Sequence, residues 1–188
     1  EKTFEMRIEH RFGDIAGANG GVQTMFGFDN VSDMRIALEY GVTKNLMLGF
    51  GRCKGTGVPY RSLLDGFVKY RFLEQVKDSM PLSLTLAGGA SFTYQKASSD
   101  ISNVNHFPES IHRFAYFTQL NLARRFGKFM SVSLMPTLVH RNYVADADIN
   151  TLFTLGGAMR LKLSKKFFFL TEYYHCFNGS TFRQQGYQ

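Results

Sequence analysis

Five histidines are the side chains of this sequence best suited to chemistry at neutral pH, and three of them precede an arginine: His10-Arg11, His112-Arg113 and His140-Arg141. Neutral imidazole is the commonest metal ligand, so two or more of these histidines meeting in space would make a metal or haem site. No two stand at i,i+2 or i,i+4. His10, His112 and His140 are therefore weak candidates, and no cofactor is expected. The arginines offer a different chemistry, attraction of anionic solutes or of an acidic partner. A hydrolase would need a serine within hydrogen-bond reach of an imidazole. Ser131 and Ser133 precede His140 by about eight residues, roughly 25 Å along an extended strand, so no dyad forms within that segment. Only a partner on a neighbouring strand would complete one, and no enzyme is expected. Cys53 and Cys176 lack CxxC spacing, which removes a zinc or redox motif and leaves one disulfide or, preferably, two thiols. The segment Gly13–Asn30 gathers Gly17, Gly20 and Gly21, but it has no GxxxxGK[ST] pattern and no helix follows. With Asn19 these glycines read as positive-φ turns of an exposed loop, the segment best suited to a partner contact.

The elements that must position these residues follow from composition and period. A chain of 188 residues is one domain's worth, and 44% hydrophobic against 20% charged residues excludes disorder. No apolar run approaches the roughly 18 residues of a spanning helix. The +7 balance hints at nucleic acid, but the basic residues are dispersed rather than gathered in one run. Nineteen Phe, nine Tyr and 18 Gly beside four Pro and no Trp make a β composition.

Two-residue alternation holds almost throughout and predicts about nine strands. The first sets Phe4, Met6 and Ile8 against Glu5, Arg7 and Glu9; the second sets Met34, Ile36, Leu38 and Tyr40 against Asp33, Arg35, Ala37 and Glu39. Later strands start near Leu46, Phe67, Leu82, Arg113, Ser131, Phe153 and Phe167. Short links (42–45, 75–80, 127–128, 164–166) alternate with long ones (13–30, 54–61, 96–110, 145–149), as in an antiparallel up-and-down barrel with one tidy and one elaborate end. Three features place the apolar face outward, in lipid. Small residues (Gly49, Gly51, Ala87, Gly89, Gly156, Ala158) mark the polar face as a crowded lumen. Several strands reach the length that crosses a bilayer at a tilt. Aromatics collect near strand ends (Phe12, Tyr40, Phe72, Tyr94, Phe114, Phe126, Phe129, Tyr143, Phe167, Tyr173), as an interfacial girdle requires.

In that topology the histidines fall at the outer end. If the pleat continues, imidazoles face the interface, and Arg11, Arg113 and Arg141 line an outer mouth or pin loops through Asp14, Asp29, Asp33 or Asp65. Glu5, Arg7, Glu9, Arg35, Glu39, Lys69, Arg71, Arg125, Arg160, Lys162 and Glu172 mix both signs on the inward face. Mixed charge in a narrow lumen predicts a salt-bridged interior and a closed or very narrow pore. Lys44, Lys77, Lys128, Lys165 and Lys166 lie in the short turns, where they meet headgroups or periplasmic partners.

Nine strands is an odd number, and a closed barrel of this class has an even one. The expectation is a barrel over 1–177 that lacks its C-terminal strands, about ten to twelve when complete, followed by a polar extracellular loop or tail at 178–188.

Several stretches carry a resemblance: His10-Arg11-Phe12-Gly13-Asp14-Ile15-Ala16-Gly17-Ala18-Asn19-Gly20-Gly21, Phe26-Gly27-Phe28-Asp29-Asn30, Leu38-Glu39-Tyr40-Gly41, Asp65-Gly66-Phe67-Val68-Lys69-Tyr70, and Met135-Pro136-Thr137-Leu138-Val139-His140-Arg141-Asn142-Tyr143-Val144. They are similar to a β-barrel family of Bacteroidota outer membranes, a domain of unknown function. The resemblance covers nearly the whole chain. It implies an outer-membrane barrel without an assigned activity, and members continue past the equivalent of Phe177 with further Gly- and Phe-rich strands. The function expected first is a structural or accessory component of an outer-membrane assembly. Its partners are then outer-membrane lipids and other outer-membrane or surface proteins, with no nucleic acid. A narrow solute channel with an arginine-lined mouth comes second, and a metal- or haem-handling surface protein third.

Overall fold

In a computed structural model of the chain, the structure is described for residues 2–15, 20–29, 31–55, 61–145 and 148–178. The tail expected beyond residue 178, and Gly17, Asn19 and Asn30 of the glycine-rich loop, lie outside the described residues.

The two-residue periodicity becomes nine strands: β1 (Phe4–Phe12), β2 (Val31–Gly41), β3 (Leu46–Lys54), β4 (Ser62–Leu73), β5 (Ser83–Thr93), β6 (Phe114–Phe126), β7 (Met130–Arg141), β8 (Thr151–Lys162) and β9 (Phe168–Cys176). They form one antiparallel sheet in chain order, each strand paired with the next, and the sheet curls into a half-barrel. Links of a few residues join β2 to β3, β6 to β7 and β8 to β9, with 74–82 between β4 and β5. The links at the other end, 13–30, 55–61, 94–113 and 142–150, all exceed the three tight turns, and two of them exceed 74–82 as well, so the sheet has a short-turn end and a long-loop end.

Directly opposed residues share a face, and the pairing register therefore fixes both faces of the sheet. Glu39 faces Glu5 and Gly49; Gly49 faces Phe67; Phe67 faces Gly89; Gly89 faces Phe117. This is the polar and small-residue set. The other face carries Phe4, Met6, Ile8, Ile36, Leu38, Leu48, Phe50, Val68, Tyr70, Leu86, Tyr116, Leu134, Leu138, Phe153 and Tyr173.

Burial is inverted relative to a water-soluble domain. Among the described residues the buried side chains lie mainly on the polar face: Ala37, Glu39, Ala87, Thr93, Met135 and Leu152. The apolar face is open, with Phe4 76%, Phe50 59% and Leu38 56% exposed. Water-soluble monomers rarely show a continuous apolar surface on this scale.

One pairing expectation needs correction. Ser110–Arg113 form a 3₁₀ turn before β6, so His112 does not open the strand and the pleat does not set the direction of Arg113. The turn is closed by a reciprocal box: the Glu109 side chain accepts from the His112 backbone, and the Glu109 N–H donates to His112 Nδ1 (3.1 Å). Tyr173 is also misplaced in the girdle, since it sits in the middle of β9 opposite Gly157.

Candidate functional site

The concave face divides into two walls. On β1, β2 and β4 it is built of ion pairs. Arg35 binds Asp65 with two guanidinium nitrogens, Nε at 3.0 Å and Nη2 at 2.5 Å, and its Nη1 reaches Glu9 at 3.2 Å. Arg7 lies 3.3 Å from Glu5, 3.7 Å from Glu9 and 3.3 Å from Glu39. Glu39 is 2% exposed, and its Oε2 accepts no hydrogen bond; its contact with Arg7 is a charge contact only. Four carboxylates thus surround two guanidiniums.

Gly51 makes this arrangement possible. A Cβ there would stand 2.8 Å from Arg35 Nη2 and 2.9 Å from Asp65 Oδ2. The other small residues of this face serve aromatic rings. Phe67 lies across Gly49, Tyr174 lies across Gly156, and Gly89 is pressed between the Phe67 Cβ and the Phe117 ring. Tyr174 OH accepts from Gln119 Nε2 (3.1 Å), tying β9 to β6 across the concave side.

The second wall, on β5 to β8, is short and hydroxylated: Ser83, Thr85, Ala87, Ser91, Ala123, Ser131, Ser133, Thr137, Thr154 and Ala158 share the concave face. Its hydrogen bonds are local, as in Ser133 Oγ to Asn121 Oδ1 and Gln119 Nε2 to Thr137 Oγ1 (3.0 Å). A polar concave face with an apolar, exposed convex face is the inside-out pattern of a barrel held in lipid.

The chain belongs to a family of membrane-bound β-barrel domains. The family model, described as "Membrane bound beta barrel domain (DUF5777)", matches residues 1–188. No curated protein and no solved structure matches the chain.

Within this membrane-bound domain the expected charge network is only partly gathered. Glu5, Arg7, Glu9, Arg35 and Glu39 interlock, joined by Asp65, for which the sequence suggests loop pinning. Asp65 alternates with Phe67, Lys69 and Arg71, and that period was the signal for placing it inside. Lys69 instead sits over the Phe67 ring at 4.7 Å, and Arg71 turns to Glu74 and Asn45 at the short-turn end. Arg160 covers the Phe168 ring at 4.1 Å, and Glu172 stands on β9 opposite Ala158.

The three mouth arginines do not form one open cluster. Arg141 is held by Asp148 (2.9 Å) and the Ile149 carbonyl (2.6 Å). Arg113 donates to the carbonyls of Thr93 (3.2 Å) and Gln95 (2.6 Å) and lies over Phe107. Arg11 is on β1 opposite Asp33, remote along the sheet from the other two. Arg113 and Arg141 thereby fasten loops to strands.

The histidines are likewise separated. His10 and His140 end strands β1 and β7 on the convex face, His140 bonded to Thr151 Oγ1 (2.8 Å), while His112 packs against Tyr143. Among the described residues no three His, Cys, Asp or Glu side chains are grouped to hold a metal. Ser131 and Ser133 face the concave side and His140 the convex side, so the sheet itself stands between these hydroxyls and the imidazole nearest to them in sequence. Cys53 and Cys176 are free thiols.

Proposed function

We propose that this domain forms the wall of an outer-membrane barrel, in an envelope of the Bacteroidota type, and acts there as a non-catalytic structural or accessory component of a larger assembly. The observation that carries this reading is the ion-paired wall. Six charged groups on β1, β2 and β4 use their charge on one another, and one of them, Glu39, is sealed from water. Charge committed in this way stiffens a wall and offers little to a passing solute. The convex face supplies the lipid contact, with aromatic side chains at its margins.

The barrel spans 1–177 in this reading and is completed by further strands. β1 and β9 run in the same direction, because nine antiparallel strands separate the two edges by an even number of reversals. They cannot close on each other antiparallel, and an edge left open in hydrocarbon strands backbone groups at several kcal/mol each.

Purification from native membranes in mild detergent tests the accessory role. Co-elution with a stoichiometric envelope protein supports it; a lone monomer that conducts steadily in planar bilayers overturns it. A second reading, a narrow solute channel, is favoured by the short hydroxylated side chains of β5 to β8, which leave that wall open to water. Steady conductance would support it.

A further inference from the structure

On β6 the convex positions Phe114, Tyr116, Thr118, Leu120 and Leu122 are uncharged, and Arg124 is the first that carries charge. With about 3.3 Å per residue and a tilt near 40°, the run from Phe114 to Arg124 rises roughly 25 Å, the height of the apolar band of a membrane barrel. Arg124 therefore stands at the short-turn margin of that band. Its guanidinium lies 5.0 Å from the centre of the Phe126 ring, the next convex side chain towards the turn. The long side chain thus extends out of the band and not back into it, as a cation at a lipid boundary must.

The margin around Arg124 carries one sign of charge. Residues 124–130 and 159–169 form the short-turn ends of β6 to β9 with the links β6–β7 and β8–β9, and they hold seven basic residues and no acidic one. The two links are joined, for the Lys162 N–H donates to the Phe129 carbonyl (2.7 Å). Arg124, Lys128, Lys165 and Lys166 are exposed, and none has an acidic partner among the described residues. The 74–82 link at the same end differs: Glu74 pairs with Arg71, and Asp78 lies beside Lys77. Between the unpaired cations stand Phe129, Leu163 and Phe167, each about seven-tenths exposed.

We propose that this margin, Arg124 with Lys128, Lys165 and Lys166, is a binding site for the phosphate headgroup of an anionic lipid. Arg124 supplies N–H donors in a fixed fork to a phosphate at headgroup depth, and the lysines add charge around it. Phe129, Leu163 and Phe167 enter the acyl boundary beside them. A soluble acidic protein would satisfy the cations but leave those three apolar side chains in water, which favours the lipid. The proposal rests on the reading that the convex face meets hydrocarbon. It adds that the lipid contact is not uniform around the sheet: the margin of β6 to β9 selects anionic lipid, and the 74–82 link, whose charges are paired, does not.

The test reconstitutes the full chain into vesicles of phosphatidylcholine alone and of phosphatidylcholine mixed with phosphatidylglycerol, extracts it in mild detergent and identifies the retained lipids by native mass spectrometry. Enrichment of phosphatidylglycerol over its share of the vesicle is expected. Arg124→Gln should lower the enrichment about fivefold, and Lys165→Gln combined with Lys166→Gln should lower it further, since each basic residue at an anionic surface is worth about that factor. Lys77→Gln removes the same charge from the same end and should leave the enrichment unchanged. Circular dichroism of each variant separates lost binding from lost folding. Protection from protease in pure phosphatidylcholine reads the hydrocarbon-facing surface by itself: insertion without enrichment overturns the proposal alone, and no insertion into either vesicle overturns both. Equal loss with Lys77→Gln, or displacement of the retained lipid by soluble polyglutamate, which would mark an acidic protein as the occupant, would also overturn it.

Discussion

At the scale of single residues the concave face is decided by which carboxylate has a guanidinium and which has a surplus neighbour. Asp65 is bound at two nitrogens of Arg35 and is about four-fifths shielded from water. Asp65→Asn should lower unfolding stability by about 1–3 kcal/mol, because Arg35 loses its two-pronged acceptor. Glu39 differs, for its Oε2 accepts no hydrogen bond and the cluster already holds four carboxylates around Arg7 and Arg35. Glu39→Gln should therefore be neutral or slightly stabilising while Arg7→Gln destabilises. Denaturant titrations of the variants in one detergent rank them, and a Glu39→Gln loss as large as that of Arg7→Gln would refute the assignment of surplus charge. In the loop between β5 and β6, the Ser102 hydroxyl (2.7 Å) and backbone N–H (3.0 Å) both donate to Asp100, holding its carboxyl below the ordinary aspartate range. A depressed folded value means that the bond contributes at pH above the unfolded value near 3.8 and is lost as pH falls through the lower, folded one. Ser102→Ala should return the Asp100 titration to the ordinary range, followed by carboxyl chemical shifts; an unchanged midpoint would show that the serine is not the cause.

At the scale of elements, strand existence was legible and the purpose of small residues was not. Alternation places Gly49, Gly89 and Gly156 on the lumen face, where small size alone predicts space for Arg and Glu. Only Gly51 serves that end; the other three admit the Phe67, Phe117 and Tyr174 rings. Cross-strand neighbours are set by register, which alternation within one strand does not contain. The same limit hid the hold of Arg113 on Thr93 and Gln95, because a 3₁₀ turn interrupts the pleat on which its outward or inward direction was judged. The adjacent pair Gly156-Gly157 gives an internal control for the ring-over-glycine arrangement. A Cβ at Gly156 would enter the Tyr174 ring, whereas one at Gly157 meets nothing within 4 Å. Gly156→Ala should cost about 1–3 kcal/mol through displacement of the ring and loss of the Gln119–Tyr174 bond, while Gly157→Ala should be neutral or mildly stabilising by limiting the unfolded chain. Thermal unfolding of the two variants decides this; equal effects would mean that Tyr174 yields freely.

For the whole molecule, nine strands and their order were readable because each connection is local and each strand pairs with its successor, so no long-range choice had to be guessed. Which face meets lipid was not given by alternation itself, since a soluble barrel alternates equally well. It followed from side-chain size on the polar face, and the structure adds burial: Ala37 is 1% exposed while its neighbour Leu38 is 56% exposed. A second copy inserted in the same orientation would present edges running the same way, so it could not complete the ladder antiparallel. Leu38 provides the sharpest test of the inside-out reading. It lies on β2 between Ile36 and Tyr40 on the convex face, with Phe50 of β3 and Met6 of β1 directly opposite. If water covered that face, replacing a half-exposed leucine by arginine would change stability by no more than about 0.5 kcal/mol. If hydrocarbon covers it, the cost is about 2–4 kcal/mol near the bilayer midplane and falls towards the interfaces. Leu38→Arg should therefore lower both stability and the inserted fraction in phospholipid vesicles, and Phe4→Arg, at the short-turn margin of the same face, should do so less. Depth dependence is what separates lipid from water here. Equal, small effects at the two positions would place the convex face in water or against protein, and the barrel's lipid-facing wall would have to be sought elsewhere.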